Sequence, residues 1–434
     1  MESGRSIAVV GAGIAGMTAA HLLSRRHRVT LFEAEARLGG HTATREVALH
    51  GHNWRIDTGF IVFNDWTYPN FIRLLDELGV ASQATEMSFS VSCERSGLEY
   101  NGHNLNTLFA QRRNLLRPRF WQMLRDIMRF NREAPAELEA GLLSANETLG
   151  AYLKRKGYSA GFMQDYLVPM GAAIWSSGLQ AMQDFPLIFF VRFFKNHGLL
   201  SVKNRPQWRV VKGGSQSYIP ALTAPLQDRL RLASPVDSIR RIAGGVEVIS
   251  HHGIERFDEV VLACHSDQAL ALLKDASVSE TQWLQAIPYQ ANEVFLHTDT
   301  RLLPQEPRAW ASWNYRRRDP QRLHAGADDQ ALVSLTYNMN RLQGLEDDPI
   351  LRAQGTTFCV TLNDGSAIDP ERLLGRYVFD HPVFTRAGIE AQQQLREQNG
   401  ARQTWFCGAW CGQGFHEDGV VSALEVVRRL GVEW

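Results

Sequence analysis

The sequence predicts an α/β protein built around a Rossmann-like dinucleotide-binding unit, and three observations predict it. Ile7-Ala-Val-Val10 is a short β-branched run, the pattern of a buried parallel strand. Gly11-Ala-Gly13-Ile-Ala-Gly16 follows at once, and Met17, Ala20, His21, Leu22 and Leu23 continue at helical spacing. A second strand, Arg28-Val-Thr-Leu-Phe32, ends at Glu33, 20 residues after Gly13.

Each residue type has a physical task in that order. Gly11 permits the tight turn, Gly13 lets the backbone approach a pyrophosphate, and Gly16 lets the helix pack closely on the strand. The helix N-terminus offers free N–H groups and the positive end of its dipole to phosphate, and Ala15 lies in that first turn. Glu33, with Ala34 beside it, stands where a carboxylate binds ribose hydroxyls, which disfavours a 2′-phosphate. The motif alone leaves NAD and FAD both open.

Composition narrows the function classes. The chain has 434 residues, 44% of them hydrophobic, enough for a large core. At roughly 150 residues per domain the expectation is two or three domains. Lys+Arg and Asp+Glu both total 46, so the basic excess of a general nucleic-acid binder is absent. The five Cys are an odd, thin set that suits a reducing compartment, and the localisation expected is cytoplasmic. No metal site is expected. Cys407-x3-Cys411 is poor zinc spacing, and His416-Glu417 is followed by Asp-Gly-Val, so it is no H-E-x-x-H. No run approaches the roughly 20 apolar residues of a membrane span. The apolar stretch Ser6–Leu23 lacks the basic start and cleavage site of a signal peptide. Neither G-x-S-x-G nor a Walker A sequence occurs.

Glu33-Ala-Glu-Ala-Arg37-Leu-Gly39-Gly40 resembles the E-x-x-x-R-x-G-G extension of the flavin-dependent amine oxidase superfamily, which includes protoporphyrinogen oxidases and carotenoid desaturases. Glycines in that loop let the backbone run along a cofactor without Cβ clashes. Ile56-Asp-Thr-Gly59-Phe60 resembles the superfamily's next D-x-G segment, Val236 falls at its adenine-contact position, and Val260-Val-Leu-Ala263 resembles its V-V-x-A turn. Trp405-Phe-Cys-Gly408 and the loop Gly412–Gly419 resemble its closing segment, whose last helix points its N-terminus at the flavin. The resemblance implies noncovalent FAD, since no cysteine matches the tether of some relatives. It implies binding residues Gly408, Asp418, Gly419 and Val420 in addition to those above. It also implies a discontinuous Rossmann-like FAD-binding domain (residues 1–75, 205–284 and 396–434) with an interleaved α+β substrate domain carrying a helical insert (76–204 and 285–395).

Asp57–Asn64, Thr67–Pro69, Met87–Ser90, Asn196–Leu200 and Phe415–Gly419 resemble one bacterial branch, known as predicted NAD/FAD-binding or amine-oxidase-like proteins. Many members are encoded beside cyclopropane-fatty-acyl-synthase-like methyltransferases. That implies a small hydrophobic, fatty-acyl or methylated lipid substrate and a lipid methyltransferase as partner. The chain departs from true amine oxidases. Ile287-Pro288 is present, but the position of their Lys falls near Val294, with Glu293 beside it, and no Lys follows Lys274. One cage tyrosine matches His416, and Tyr377 is the loose candidate for the other.

The function expected is that of an FAD-dependent oxidoreductase taking hydride from a hydrophobic carbon, of the desaturase or dehydrogenase type. The alternatives are an amine oxidase with altered machinery and a non-catalytic, flavin-holding lipid-binding or accessory protein. His416 is the expected catalytic base, held neutral by the helix dipole, with His265, His381 and Glu293 in reserve. From Arg119 the pattern predicts a helix with Phe120, Met123, Leu124 and Ile127 on one face and Arg125, Arg129 and Arg132 on the other. Residues 112–132 hold seven Arg and one acid, Asp126. That face is either solvated surface over a packed core or a peripheral contact with the inner face of a membrane. A strand is expected over Ala331–Tyr337.

Overall fold

Ile7, Ala8 and Val9 are wholly buried because the strand Ser6–Val10 has partners on both edges and layers on both faces. In the computed structural model, which describes residues 4–175, 178–201, 204–319 and 333–434, this strand is the centre of a five-stranded sheet. The order is Leu230–Arg231, Arg28–Phe32, Ser6–Val10, Glu259–Leu262 and Thr404–Phe406, all parallel. Successive side chains of a strand point to opposite faces. Ile7 and Val9 accordingly join a core with Met17 of the helix Ile14–Leu23 and Val420 and Val426 of the helix His416–Arg429. Ala8 and Val10 join another with Val246 and Val248 of a three-stranded antiparallel sheet, Val236–Ile242, Gly245–Ser250 and Gly253–Phe257.

A seven-stranded sheet forms the second large layer. Its order is Leu373–Pro382, Tyr289–His297, Cys359–Leu362, Val333–Asn338, Trp313–Arg317, Phe89–Cys93 and Leu98–Asn101. Neighbours are antiparallel except Trp313–Arg317 against Phe89–Cys93, which run parallel. The strand expected over 331–337 begins at Val333, and residues 331 and 332 lie outside the described residues. Helices Pro118–Glu139, Val168–Trp175 and Leu187–Asn196 pack into the same core as this sheet. Pro118 begins its helix, where its missing N–H costs nothing. On that helix Phe120 and Met123 are buried and Leu124 and Ile127 half-buried, the face the apolar spacing predicts, and Phe130 is buried as well. Arg129 departs from the predicted outer face. It bonds Glu133 and lies over the Tyr158 ring at 4.5 Å. Among the described residues no helix is long and apolar enough to cross a membrane.

The helix Ile14–Leu23 lies against the strand turns as closely as backbone allows. A Cβ on Gly16 would stand 1.9 Å from the Gly11 carbonyl oxygen and 3.0 Å from the Ala263 Cβ. A Cβ on Gly419 would meet the Ile14 Cγ2 at 2.8 Å, so the last helix docks on the first one through that glycine. Gly16→Val is expected to cost about 3 kcal/mol, the upper end of the usual overpacking range, because backbone and not a flexible side chain must yield. Chemical denaturation measures it, and stability equal to wild type would contradict this packing.

Candidate functional site

The strand-to-helix turn opens onto a cavity of about 1160 Å³. That exceeds the roughly 300–1,000 Å³ of an ordinary small-ligand pocket, so there is room for a dinucleotide and a second molecule. Its walls divide by chemistry. One end is glycine and acid, with Gly11, Gly13, Glu33, Gly40 and Val236. The other is aromatic and aliphatic, with Tyr166, Met170, Trp175, Phe193, Trp313 and Tyr337.

At the glycine end the backbone is shaped for a ligand. Gly11 has φ +102°, which an L side chain rarely adopts. Gly13 is the residue before the helix and carries no side chain to cap it, so the first-turn N–H groups are left for a ligand. A Cβ there would meet nothing within 4 Å. Gly40, at φ +55°, comes so near that its Cβ would lie 3.4 Å from the Gly13 Cα. Glu33 accepts from the Ala12 N–H at 2.7 Å and from the Glu35 N–H at 2.9 Å, which clamps its carboxylate beside the turn. Arg37 donates to the Gly40 carbonyl at 3.0 Å and pairs with Glu35 at 3.0 Å. These features fit a dinucleotide: unfilled space over Gly13, free helix N–H groups, and an oriented acid at the end of the second strand.

Ala15, Ala34, Gly39, Gly59, Phe60, Ala263 and Gly408, expected from the sequence to bind cofactor, also border the cavity. Four predicted residues do not. Gly16 and Gly419 serve helix packing, and Val420 is wholly buried in the core beneath. Asp418 accepts the Phe415 N–H at 2.9 Å, capping its own helix, and burial pushes its carboxyl up to about 6. Asp57 likewise lies behind the wall. It accepts from Thr44 Oγ1 (2.6 Å), Ser215 N (2.9 Å) and Ser215 Oγ (2.9 Å), and burial raises its carboxyl to about 6.

His416 borders the cavity but is held on every side. Its ring stacks flat on Phe60, with centroids 3.5 Å apart, and meets Phe71 edge-on. Its Nε2 shares hydrogen bonds with Tyr218 Oη (3.0 Å) and Thr42 Oγ1 (3.1 Å). Burial lowers its pKa to about 3, so it is neutral. Next to it, Glu417 accepts from the Asn70 N–H, Asn70 Nδ2 and the Phe71 N–H, capping the helix Pro69–Glu77. Glu293 pairs with Arg376, and the Tyr377 ring lies under the Arg45 guanidinium at 4.0 Å. Neither borders the cavity.

Sequence spacing gave no sign of a histidine trio on the cavity wall. His41 follows Gly40, His265 follows the Ala263 turn, and His381 ends the strand Leu373–Pro382. The His41 ring lies 5.3 Å from His381, 6.2 Å from His265 and 5.1 Å from Phe379, centroid to centroid. His265 stacks on Tyr289 at 4.3 Å, and Asn292 Nδ2 bonds His381 Nδ1 at 3.2 Å. Burial, then mutual repulsion, lowers His41 and His381, the latter to about 4, and burial lowers His265. The trio stands where the two ends of the cavity meet. His41 adjoins the Gly40–Gly13 contact, while His381 shares its strand with Phe379 and precedes Phe384, both cavity residues.

Residues 14–430 match the family described as flavin containing amine oxidoreductase. A putative flavin-containing monoamine oxidase of Mycobacterium tuberculosis is 28% identical over 264 residues, 59% of this chain and 56% of that protein. The matched stretch thus spans little more than half the length of that curated relative. Protoporphyrinogen oxidase 2 of Arabidopsis thaliana is 38% identical over 101 residues, 23% of this chain and 18% of that protein. Among solved structures, cyclohexylamine oxidase from Brevibacterium oxydans aligns at TM-score 0.69 and 15% identity over 98% of both chains. A fatty acid isomerase from P. acnes that produces CLA aligns at TM-score 0.67 and 16% identity over 100% of both. Likeness at that identity is likeness of fold.

Two outcomes are expected. Gly13→Val fills the space over the turn and abolishes retention of FAD, read from the flavin absorbance of the purified, folded protein, and Glu33→Ala weakens it by removing a charge-assisted bond of roughly 1.5–3 kcal/mol. Full retention by Gly13→Val would contradict the binding end assigned here. For His416 the folded pKa lies below the unfolded 6.5, so the unfolded state binds the extra proton and stability falls as pH drops from 6.5 towards 3. His416→Gln removes that slope of at most about 1.4 kcal/mol per pH unit. The variant therefore loses less stability than the wild type in acid, and parallel pH profiles from urea unfolding would contradict it.

Proposed function

Because the chain belongs to the flavin-containing amine oxidoreductase family, we propose that it is an FAD-dependent oxidoreductase that removes hydride from a hydrophobic, acyl-type substrate. The observation that carries this reading is the aromatic end of the cavity. Trp175 stands among Phe185, Phe190 and Phe193, with centroids 4.6–5.9 Å away. Trp313 meets Tyr337 edge-on at 5.1 Å, and Phe193 stacks on Phe415 at 4.9 Å. An apolar chain transferred there from water gains about 0.8 kcal/mol per buried methylene, whereas an ammonium would lose its hydration. The fold is also that of a fatty acid isomerase, which supports an acyl substrate.

Bound FAD supplies the two-electron acceptor. Gly11, Gly13, Glu33, Arg37 and Gly40 hold it at the polar end. The aromatic end orients the substrate and excludes water, which strengthens every polar interaction inside. His41, His265 and His381 supply neutral imidazoles at the junction, and a neutral imidazole can accept a proton. No hydrogen bond to a His41 ring nitrogen is made among the described residues, while His381 Nδ1 is occupied by Asn292. His416 is a positioning residue, holding Phe60 and Tyr218 against the start of the last helix.

Anaerobic mixing of the holoprotein with fatty acids, phospholipids and a panel of amines tests the reading. Bleaching of the flavin by an acyl compound is expected, and bleaching by amines alone would overturn it in favour of an amine oxidase with altered machinery. Flavin that no compound reduces would mark a cofactor-holding accessory protein. With the reducing lipid in hand, Gln at 41, 265 or 381 is expected to slow reduction at least about tenfold in one or more variants. Unchanged rates in all three would remove the trio from the chemistry.

A further inference from the structure

The outer surface over residues 105–132 combines two properties that soluble surfaces keep apart. Six of the twelve exposed large hydrophobic residues among the described ones fall between 105 and 142, so apolar exposure is concentrated here and not scattered. Leu116 is 87% exposed, Met128 58% and Trp121 49%. Trp121 adjoins Leu115 and Phe109: its Nε1 donates to the Leu115 carbonyl at 2.9 Å, and its ring lies 5.5 Å from Phe109. On the helix Pro118–Glu139, residues 121, 125, 128 and 132 recur at i, i+4, i+7 and i+11, one outward line of Trp, Arg, Met and Arg.

Exposed charge on this face is mostly positive. Arg112, Arg113, Arg125 and Arg132 are exposed around the apolar group. Arg112 donates to the Asn106 side chain and to the Asn106 and Phe109 carbonyls, and Arg113 donates to the Gly97 carbonyl. Asp126 is turned inward and accepts the Ser159 N–H at 3.0 Å. Glu133 is taken chiefly by Arg129 and Lys156, with Arg132 farther off at 3.9 Å, and Asp165 by Arg119 and Arg317. A positive rim around protruding Leu, Trp and Met side chains is the chemistry that seats a helix in the headgroup layer of an anionic bilayer. The inner side of the same helix reaches the cavity wall, since Phe120 packs edge-on against Tyr100 at 5.6 Å and Tyr100 borders the cavity.

We propose that residues 105–132 form a docking face for an anionic lipid bilayer, with Leu115, Leu116 and Trp121 entering the headgroup layer and Arg112, Arg113, Arg125 and Arg132 pairing with lipid phosphate. The face sets one wall of the cavity against the surface that holds apolar molecules. It stands apart from the assigned chemistry, because binding to vesicles is read without turnover.

Co-sedimentation of the holoprotein with phosphatidylcholine vesicles, with and without phosphatidylglycerol, tests it. Binding is expected to appear with phosphatidylglycerol and to weaken as salt is raised. Arg125→Glu with Arg132→Glu is expected to weaken it at least about tenfold. Leu116→Ser with Trp121→Ser is expected to weaken it similarly, with flavin spectrum and circular dichroism unchanged in both variants. Absence of vesicle binding at low salt overturns the proposal, as does equal binding by the charge-reversed variant. Self-association in place of vesicle binding, lost with Leu116→Ser, would give the face to a second copy of the chain and also overturn it.

Discussion

Close approach of backbone to backbone at the first glycine turn positions everything that borders the cavity. The Gly16 site leaves no room for a Cβ beside the Gly11 carbonyl. The helix Ile14–Leu23 is thereby pressed onto the turns after Val10 and Leu262, with its first N–H groups aimed outward. The Gly40 turn closes on Gly13 from the opposite side, and Gly419 lets the last helix settle on Ile14. Three distant parts of the chain meet there because none has a side chain to hold the others off.

The segment Phe415–Gly419 shows how the second requirement, satisfaction of buried polar groups, is met around that contact. His416, Glu417 and Asp418 are consecutive polar residues, and each makes structural hydrogen bonds. His416 ties Phe60, Thr42 and Tyr218 together, Glu417 caps the helix Pro69–Glu77, and Asp418 caps its own helix. A buried carboxylate without such partners would cost several kcal/mol, so capping is what makes these acids tolerable inside. The same logic places Asp57 under the Gly214 turn, where Thr44 and Ser215 satisfy it.

The cavity then joins two chemistries that one layer could not provide. The parallel sheet ends in turns rich in free N–H groups, while the seven-stranded sheet and the helices around Trp175 contribute aromatic faces. The histidines at 41, 265 and 381 occupy the seam. Partial burial lowers the pKa of each, and a proton on one raises the cost of a proton on its neighbours.

The dinucleotide-binding turn was legible in the sequence because its determinants are local. Strand, glycines, helix and acid all fall within residues 7–33, and the backbone conformations they need are properties of those residue types. The amphipathic helix from Pro118 was legible for the same reason, since its period is written in consecutive residues. Which glycine faces open space and which faces a neighbouring helix was decided only in three dimensions, because Gly13 and Gly419 differ in what lies opposite and not in what lies adjacent. The partners of His416 were likewise hidden, since Phe60, Thr42 and Tyr218 reach it from far along the chain. The histidine trio unites positions more than a hundred residues apart on three separate turns and strands. No spacing rule can announce such a meeting, because it is produced by the docking of layers and not by the path of the chain between them.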